Sequence, residues 1–330
     1  MNTIFCFGEI LLRMSPALNG RWISEALMPV YVGGAELNVA TALAKWGLPV
    51  KYCTALPDNY LSKEIIDDLQ AKKIDISAVQ FSGSRIGTYY LPQGTDLKNA
   101  GVIYDRSGSS FAELLPCTID WNEVLNDCNW FHFSAIGPAL NENAALVCKE
   151  ALEVASAKGL AISVDLNYRS KLWKYGKKPE EIMRELVHYC NVVMGNLWAV
   201  ENLLGIPSSI KSSEGKTSEE LLIASDKSMQ QVQRQYPNAT SIAYTFRLQN
   251  EYWSVLQHNN ERAVSKKFLI NDIVDRVGSG DCFMAGLIYG LHHRHRHQNI
   301  IDFASAAAVG KLQETGDATR QTIEQIKARI

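Results

Sequence analysis

The chain has 330 residues, 46% hydrophobic and 21% charged, which is a globular composition with enough length to bury a large core. Its formal net charge of -2 provides no positive field for a polyanion, so we expect no nucleic-acid partner. No run of about 18 apolar residues occurs, so we expect no membrane span. The scattered cysteines include no CxxC pair, which favours reduced thiols and a cytoplasmic location.

Short apolar runs rich in β-branched residues alternate with longer stretches of helical period. This alternation predicts an α/β fold with a mostly parallel sheet flanked by helices. The predicted strands are Ile4–Phe7, Lys51–Ala55, Trp130–Ser134, Ala161–Leu166, Val192–Gly195 and Ser241–Thr245. The predicted helices are Ala35–Trp46, Leu61–Lys72, Asn143–Lys158, Ser218–Gln235, Asp281–His292 and Ile300–Glu314.

Two segments interrupt this alternation, roughly residues 12–32 and 85–106. Their short polar and aromatic runs predict extra strands outside the main sheet, which together form a small β lid on a single domain of residues 1–330. The lid aromatics include Trp22, Tyr31 and Tyr90. Because so few strands cannot bury both of their faces, we expect the lid to close over a ligand or to join two copies as a homodimer.

The strongest chemical signal is the segment from Ile273 to Asp281, in which an apolar strand meets a glycine-rich turn and a helix. Backbone N–H groups of Gly278, Ser279 and Gly280 at such a helix start form an anion site suited to phosphate oxygens. A carboxylate beside bound phosphate is costly unless it handles a proton, so Asp281 is a candidate general base. The alternative is that Asp281 merely caps the helix.

Two motifs resemble the signatures of the ribokinase-like (PfkB) carbohydrate kinase family. DRVGSGDCFMAG is similar to its C-terminal signature and GGAELNVATALAKWG to its N-terminal signature. The two occur in the right order, about 240 residues apart, which is much harder to obtain by chance than either alone. The resemblance implies a ribokinase-like fold and an enzyme that transfers a phosphoryl group from ATP, with Mg²⁺, to a small sugar.

In that family, the positions of Gly33, Gly34 and Asn38 line the sugar site. Glycines let the backbone approach a sugar closely, and an asparagine can both donate and accept hydrogen bonds. Without the family, a plain helix-start turn with a solvent-facing Asn38 would be the favoured interpretation.

Within the family, YVGGAELNVA, VIYDRSGSS and SVDLNYRSKLW resemble members that phosphorylate 2-keto-3-deoxygluconate, giving the 6-phosphate. This resemblance implies that Tyr89, Tyr104, Arg106 and Arg169 contact an acid sugar. A guanidinium is a planar, permanently charged partner for a carboxylate. Structural ion pairs remain the alternative for the arginines, and lid-core packing remains the alternative for the tyrosines.

Asp165 and Asn167, which lie close to Arg169 in the sequence, are further candidates for the sugar site. Asp165 and Asn167 share one side of a strand end, where they either orient Arg169 or lie outside the site.

The sequence departs from the family pattern in its second half. Asn196 is followed by Ala199, where many members carry the glutamate of an Asn-x-x-Glu motif, and Arg247 stands in a nucleotide strand that lacks the usual glycine-rich turn. We assign Asn196, Arg247, Gly278 and Gly280 to nucleotide binding and predict no metal site, not even in the basic run from His292 to His297. Fructokinase, another ribokinase-like sugar kinase and a catalytically weak sugar-binding relative remain alternatives.

Overall fold

The computed structural model describes residues 3–16, 28–92, 101–248, 250–270 and 273–330. The strands are β1 (Thr3–Phe7), β2 (Leu11–Met14), β3 (Val30–Gly33), β4 (Val50–Cys53), β5 (Ala55–Leu56), β6 (Ile74–Asp75), β7 (Gln80–Phe81), β8 (Gly87–Tyr90), β9 (Ile103–Asp105), β10 (Cys128–Ser134), β11 (Ala161–Asp165), β12 (Val192–Gly195), β13 (Ser241–Arg247), β14 (Glu251–His258), β15 (Glu261–Val264) and β16 (Phe268–Leu269). The helices are α1 (Ala35–Lys45), α2 (Tyr60–Ala71), α3 (Trp121–Val124), α4 (Glu142–Ala157), α5 (Pro179–Val187), α6 (Leu197–Leu204), α7 (Ser218–Gln235), α8 (Ser279–His292), α9 (His297–Lys311) and α10 (Ile323–Lys327).

A ten-stranded sheet forms the centre of the fold. Its order is β15-β14-β13-β12-β11-β10-β1-β4-β6, and β16 pairs with β14. Strands β6, β4, β1, β10, β11, β12 and β13 are neighbours in this order, and each pair of neighbours is parallel. Strand β14 pairs antiparallel with β13, β15 and β16. This arrangement confirms the predicted α/β fold with a mostly parallel sheet.

The sheet is buried on both faces, as parallel sheets normally are. Along β1, Phe5 and Phe7 enter one apolar core while Ile4 and Cys6 enter the other, because successive side chains of a strand point to opposite faces. Helices α3 to α7 cover the first face, and α1, α2, α8, α9 and α10 cover the second. Helices α1 and α8, which carry the two sequence motifs, therefore lie on the same face.

The predicted elements are found within a few residues of their predicted limits. Helix α7 has the predicted bounds, and the strand predicted at Lys51–Ala55 is divided into β4 and β5. Helix α8 begins at Ser279 and not at Asp281, which places Asp281 inside the first helical turn. Close packing fixes this helix against α9, since a Cβ atom at Gly286 would lie 2.7 Å from the Cα of Ala304.

A separate four-stranded sheet has the order β3-β2-β8-β9 and confirms the predicted small β-sheet; we call it the lid. Its register aligns Val30, Met14, Tyr90 and Ile103 in one row across the outer face. Trp22 and the rest of residues 17–27 and 93–100 lie outside the described residues. Within the described ranges, no helix has the length and apolar character needed to cross a membrane.

Candidate active site

A cavity of about 960 Å³ lies between the lid and the carboxyl ends of the central strands, where ligands bind in open α/β sheets. Every residue that the sequence assigns to the site lines this cavity, with the exception of Gly33. The lining residues among them are Gly34, Asn38, Tyr89, Tyr104, Arg106, Asp165, Asn167, Arg169, Asn196, Arg247, Gly278, Ser279, Gly280 and Asp281. The fold thus brings residues from the whole length of the chain to one place.

The two glycines before α1 are required by the packing of the protein itself. A Cβ atom at Gly33 would lie 2.4 Å from Oδ2 of Asp317, so this glycine makes room for a buried carboxyl group. Gly33 is not among the residues that line the cavity, and its role beside a sugar stays a prediction. Gly34 has a φ of 144°, and a Cβ atom there would lie 2.2 Å from the carbonyl oxygen of Glu9. Of the pair, Gly34 alone faces the cavity.

The turn before α8 places the first residues of the helix at the cavity. Gly278 is the N-cap residue in the left-handed conformation, with a φ of 81°, and no side chain of the described residues caps the helix. The first amides of a helix have no partner within it, so Ser279 and Gly280 present donors at the positive end of the helix dipole. These are the amides that the sequence assigns to a phosphate site, and that role stays a prediction.

Asp281 is part of this turn, but the structure does not show it as a helix cap. Its carboxyl group accepts a hydrogen bond of 2.7 Å from Nδ2 of Asn38 in α1. The residue is only 8% exposed, and burial raises the pKa of its carboxyl group to about 7, with a further increase from Glu36. The bond from Asn38 and the charge of Arg169 oppose this increase in pKa. A carboxyl group that ionises near neutral pH suits general-base chemistry.

Asn38 has a second polar atom at the site. Its Oδ1 is buried and has no hydrogen-bond partner in the described part of the chain. Buried acceptors are normally satisfied, so an unpaired one beside a cavity is a place where a ligand hydroxyl can donate.

Arg106 is held by a structural ion pair, the alternative that the sequence left open. Its Nε donates to Oε2 of Glu9 at 2.6 Å, and Ser109 Oγ donates to the other oxygen of Glu9 at 2.5 Å. Both charged side chains are nearly inaccessible to solvent. Arg106 therefore lines the cavity with its charge already balanced.

Arg169 differs from Arg106 in its surroundings. Its Nη1 donates to the carbonyl oxygen of Tyr168 at 3.2 Å, and no salt bridge joins it to a carboxylate within the described ranges. The side chain is half-buried in the cavity, where its charge lowers the pKa of Asp281. Of the two arginines, Arg169 retains the cationic capacity to meet an anionic substrate.

Asn196 and Arg247, which are also assigned to the nucleotide, line the same cavity as the turn. The Asn196 side chain caps α6, since its Oδ1 accepts hydrogen bonds from the amides of Trp198 and Ala199 at 3.1 and 2.9 Å. Arg247 lies at the end of β13 and also faces the cavity. The loop residues Lys211, Ser212 and Ser213 also line the cavity, although no sequence motif assigns them to the site.

Sequence reasoning also missed several buried charges around the cavity. Glu9 pairs with Arg106, and Glu36 accepts hydrogen bonds from Ser134. Arg13 pairs with Asp275 and Asp317 beside the turn before α8, and Asp317 also lines the cavity. Asp275 belongs to the motif DRVGSGDCFMAG, which is a weak signal for it. The ion pairs themselves cannot be predicted from the local sequence pattern, because their partners are far apart in the chain.

The structure is that of an α/β protein with a ligand cavity at the carboxyl ends of its central strands. Comparison with known proteins identifies it as a phosphotransferase and gives its family. The family of pfkB carbohydrate kinases matches residues 1–324, so the chain belongs to that family and is a carbohydrate kinase. The crystal structure of 2-dehydro-3-deoxygluconokinase from Thermotoga maritima is 32% identical, with 99% of each chain covered and a TM-score of 0.89.

One further protein is similar in sequence to about half of the chain, and another is similar to the whole chain in fold. A 2-dehydro-3-deoxygalactonokinase from Haloferax volcanii is 32% identical over 167 residues, which span 51% of this chain and 52% of that protein. A fructokinase structure from Xylella fastidiosa with bound ATP is 18% identical, covers 99% of this chain and 98% of its own, and has a TM-score of 0.76. At that identity the likeness concerns the fold alone.

Proposed function

We propose that this protein is an ATP-dependent kinase that converts 2-keto-3-deoxygluconate to its 6-phosphate. One observation carries the proposal: the buried carboxyl group of Asp281, at the uncapped N-terminus of α8, shares a cavity with the guanidinium of Arg169. The carboxyl group supplies a base for a hydroxyl. The guanidinium supplies a cation for the carboxylate of an acid sugar.

In the proposed reaction, the sugar hydroxyl oxygen forms a bond to the γ-phosphorus of ATP, and the bond from that phosphorus to the bridging oxygen breaks, so that ADP leaves. Asp281 accepts the proton of the hydroxyl. The amides of Ser279 and Gly280 donate to the oxygens of the transferred phosphoryl group, whose charge the dipole of α8 stabilises.

The substrate assignment rests on charge and on similarity. The relatives from Thermotoga maritima and Haloferax volcanii are named as kinases of 2-dehydro-3-deoxy sugars, and 2-dehydro-3-deoxygluconate is the same compound as 2-keto-3-deoxygluconate. Its carboxylate needs a cationic partner, which Arg169 offers. Asn38 Oδ1 and the lid tyrosines Tyr89 and Tyr104 are then available to the hydroxyl-bearing part of the sugar.

ATP and Mg²⁺ complete the proposed reaction. The described residues include no group of three His, Cys, Asp or Glu side chains able to hold a metal ion. Asn196 is committed to capping α6, and Glu201 is paired with Lys211. Mg²⁺ therefore fits this site as an ion carried mainly by the phosphates of ATP, a common arrangement for this cation.

Two alternatives have a specific observation in their favour. The ion pair of Arg106 with Glu9 balances the charge of one of the two arginines assigned to the sugar, which lowers the penalty for a neutral sugar and favours a fructokinase. Ala199 in place of a motif glutamate favours a catalytically weak sugar-binding relative. Kinetics of two variants, described below, distinguish these alternatives from the proposed function.

We also propose that the protein is cytoplasmic and forms a homodimer through the lid. All seven cysteines are free thiols, which suits a reducing compartment. On the lid, Val30 and Ile103 are 50% and 62% exposed and belong to the apolar row that crosses the outer face. A second copy of the same sheet would cover this row and explain its composition.

The first prediction concerns Asp281→Asn. This change removes the base but keeps the shape of the side chain, so kcat should fall by about 10²-fold or more while binding of sugar and ATP stays nearly intact. In the wild type, kcat/KM should rise with pH through about 7, because the carboxyl group must be ionised to accept a proton.

The measurement is a coupled ADP-release assay at several pH values. Asp302→Asn, a buried aspartate of α9 outside the cavity, is the matched control and should retain wild-type kcat. Wild-type turnover by Asp281→Asn would overturn the assignment of the base.

The second prediction concerns Arg169→Met and substrate charge. Losing a charged hydrogen bond costs about 1.5–3 kcal/mol, so wild-type kcat/KM should be roughly tenfold to hundredfold higher for 2-keto-3-deoxygluconate than for neutral ketoses. The variant should erase most of this difference by harming the acid sugar selectively. Arg262→Met, which removes a surface ion pair with Asp226, should change neither substrate.

Steady-state kinetics with the acid sugar and fructose test this assignment. Equal losses for both sugars in Arg169→Met, or a wild-type preference for fructose, would disprove the carboxylate contact and leave the kinase assignment standing.

The third prediction concerns the outer face of the lid. Light scattering should show a wild-type dimer, and Ile103→Asp should convert it to a monomer because a charge would be buried in the apolar row. Leu269→Asp changes an apolar side chain that is 69% exposed on β16 and should leave the dimer intact. A wild-type monomer at all working concentrations would rule out the dimer.

A further inference from the structure

Arg13 is a lid residue whose charged group lies inside the body of the protein. It belongs to β2, which pairs with β3 and β8 in the lid, and its side chain is 1% exposed. Its Nε donates to Oδ1 of Asp317 at 2.7 Å and its Nη2 donates to Oδ2 of Asp275 at 2.6 Å. One guanidinium therefore joins the lid to two separate segments of the body.

Both of these residues contact the turn that precedes α8, Asp275 through its carboxylate and Asp317 through its backbone. Oδ1 of Asp275 accepts a hydrogen bond of 3.1 Å from the amide of Val277, the residue before Gly278. The carbonyl oxygen of Asp317 lies directly behind Gly278, since a Cβ atom there would be 1.8 Å from it. The two residues whose carboxylates Arg13 binds are thus both in contact with the turn.

Other lid residues meet the same group of charges. The hydroxyl of Tyr89, in β8, donates to Oδ2 of Asp317 at 3.0 Å. The guanidinium of Arg13 lies over the ring of Tyr31, in β3, at 4.4 Å from its centroid. Three adjacent strands of the lid therefore contact one cluster beside the turn, and Tyr89 and Asp317 of this cluster also line the cavity.

Stability alone is a poor explanation for this cluster. A buried ion pair seldom stabilises a fold more than apolar residues of similar volume, because both charges must be removed from water. A guanidinium that bonds two acids nevertheless fixes their relative geometry, since its donors form a rigid planar fork. Lys311, also fully buried, brings a second positive charge close to the two acids.

We propose that Arg13 is a positioning residue for phosphoryl transfer, which couples the seating of the lid to the position of the turn Gly278–Asp281. The inference rests on the proposed function of that turn. Arg13 touches neither substrate; it acts through Asp275 and Asp317. When the lid lies over the sugar, the fork holds both acids and the turn amides are placed for the transferred phosphoryl group.

The test is the separation of turnover from binding in Arg13→Lys, which keeps the charge but lacks the fork. We expect kcat to fall at least tenfold while the Kd of a non-hydrolysable ATP analogue changes less than threefold. The same experiment on Arg85→Lys is the matched control, because Arg85 forms an exposed ion pair with Asp105 within the lid. Its kcat should stay within twofold of the wild type.

A second variant covers the case in which Arg13→Lys does not fold. Arg13→Met combined with Asp275→Asn removes the guanidinium and one of its two acids, keeps an acceptor for the amide of Val277 and changes no residue that lines the cavity. It should fold with the same loss of kcat. Either variant with kcat within twofold of the wild type overturns the inference, as does a loss fully explained by the unfolded fraction. If Asp281→Asn is inactive while the Arg13 variants are active, the coupling fails and the proposed function survives. If Asp281→Asn retains wild-type turnover, the role of Asp281 as base fails, whatever the Arg13 variants show.

Discussion

The hydrogen bond from Asn38 to Asp281 joins the two helices on which the site depends. Asn38 lies in α1 and Asp281 in the first turn of α8, and both helices pack on the same face of the central sheet. The bond gives a hydrogen-bond donor to a carboxyl group that is buried at the start of a helix. Because the partners are 243 positions apart, their contact depends on the whole fold.

The surroundings of this bond serve chemistry at the expense of stability. Burial and the negative charge of Glu36 both raise the pKa of Asp281, whereas Arg169 opposes them from the cavity. An acid kept partly protonated at neutral pH is a poor contributor to folding but a suitable base. The start of α8 also lacks a stabilising side-chain cap. A cap would occupy the amides that a phosphate group needs as hydrogen-bond donors.

Local pattern predicted the regular elements well and the charge pairing poorly. The bounds of α7 and β12 could be predicted because periodicity and apolar runs are local properties. The cavity residues followed from the family motifs. The partners of Arg106 and Gly33, which are Glu9 and Asp317, could not be predicted, because ion pairs and close approaches across 97 or more positions leave no periodic signal.

The most direct test of this account is the pH dependence of the free energy of unfolding for the wild type and Asp281→Asn. The pKa of Asp281 is about 7 in the fold and 3.8 ordinarily, so ionisation destabilises the wild type increasingly as the pH rises between these values. Urea titrations should show the variant more stable at pH 8, by about 2–4 kcal/mol, with the difference fading towards pH 4. A difference independent of pH, or a wild type more stable at pH 8, would contradict the account.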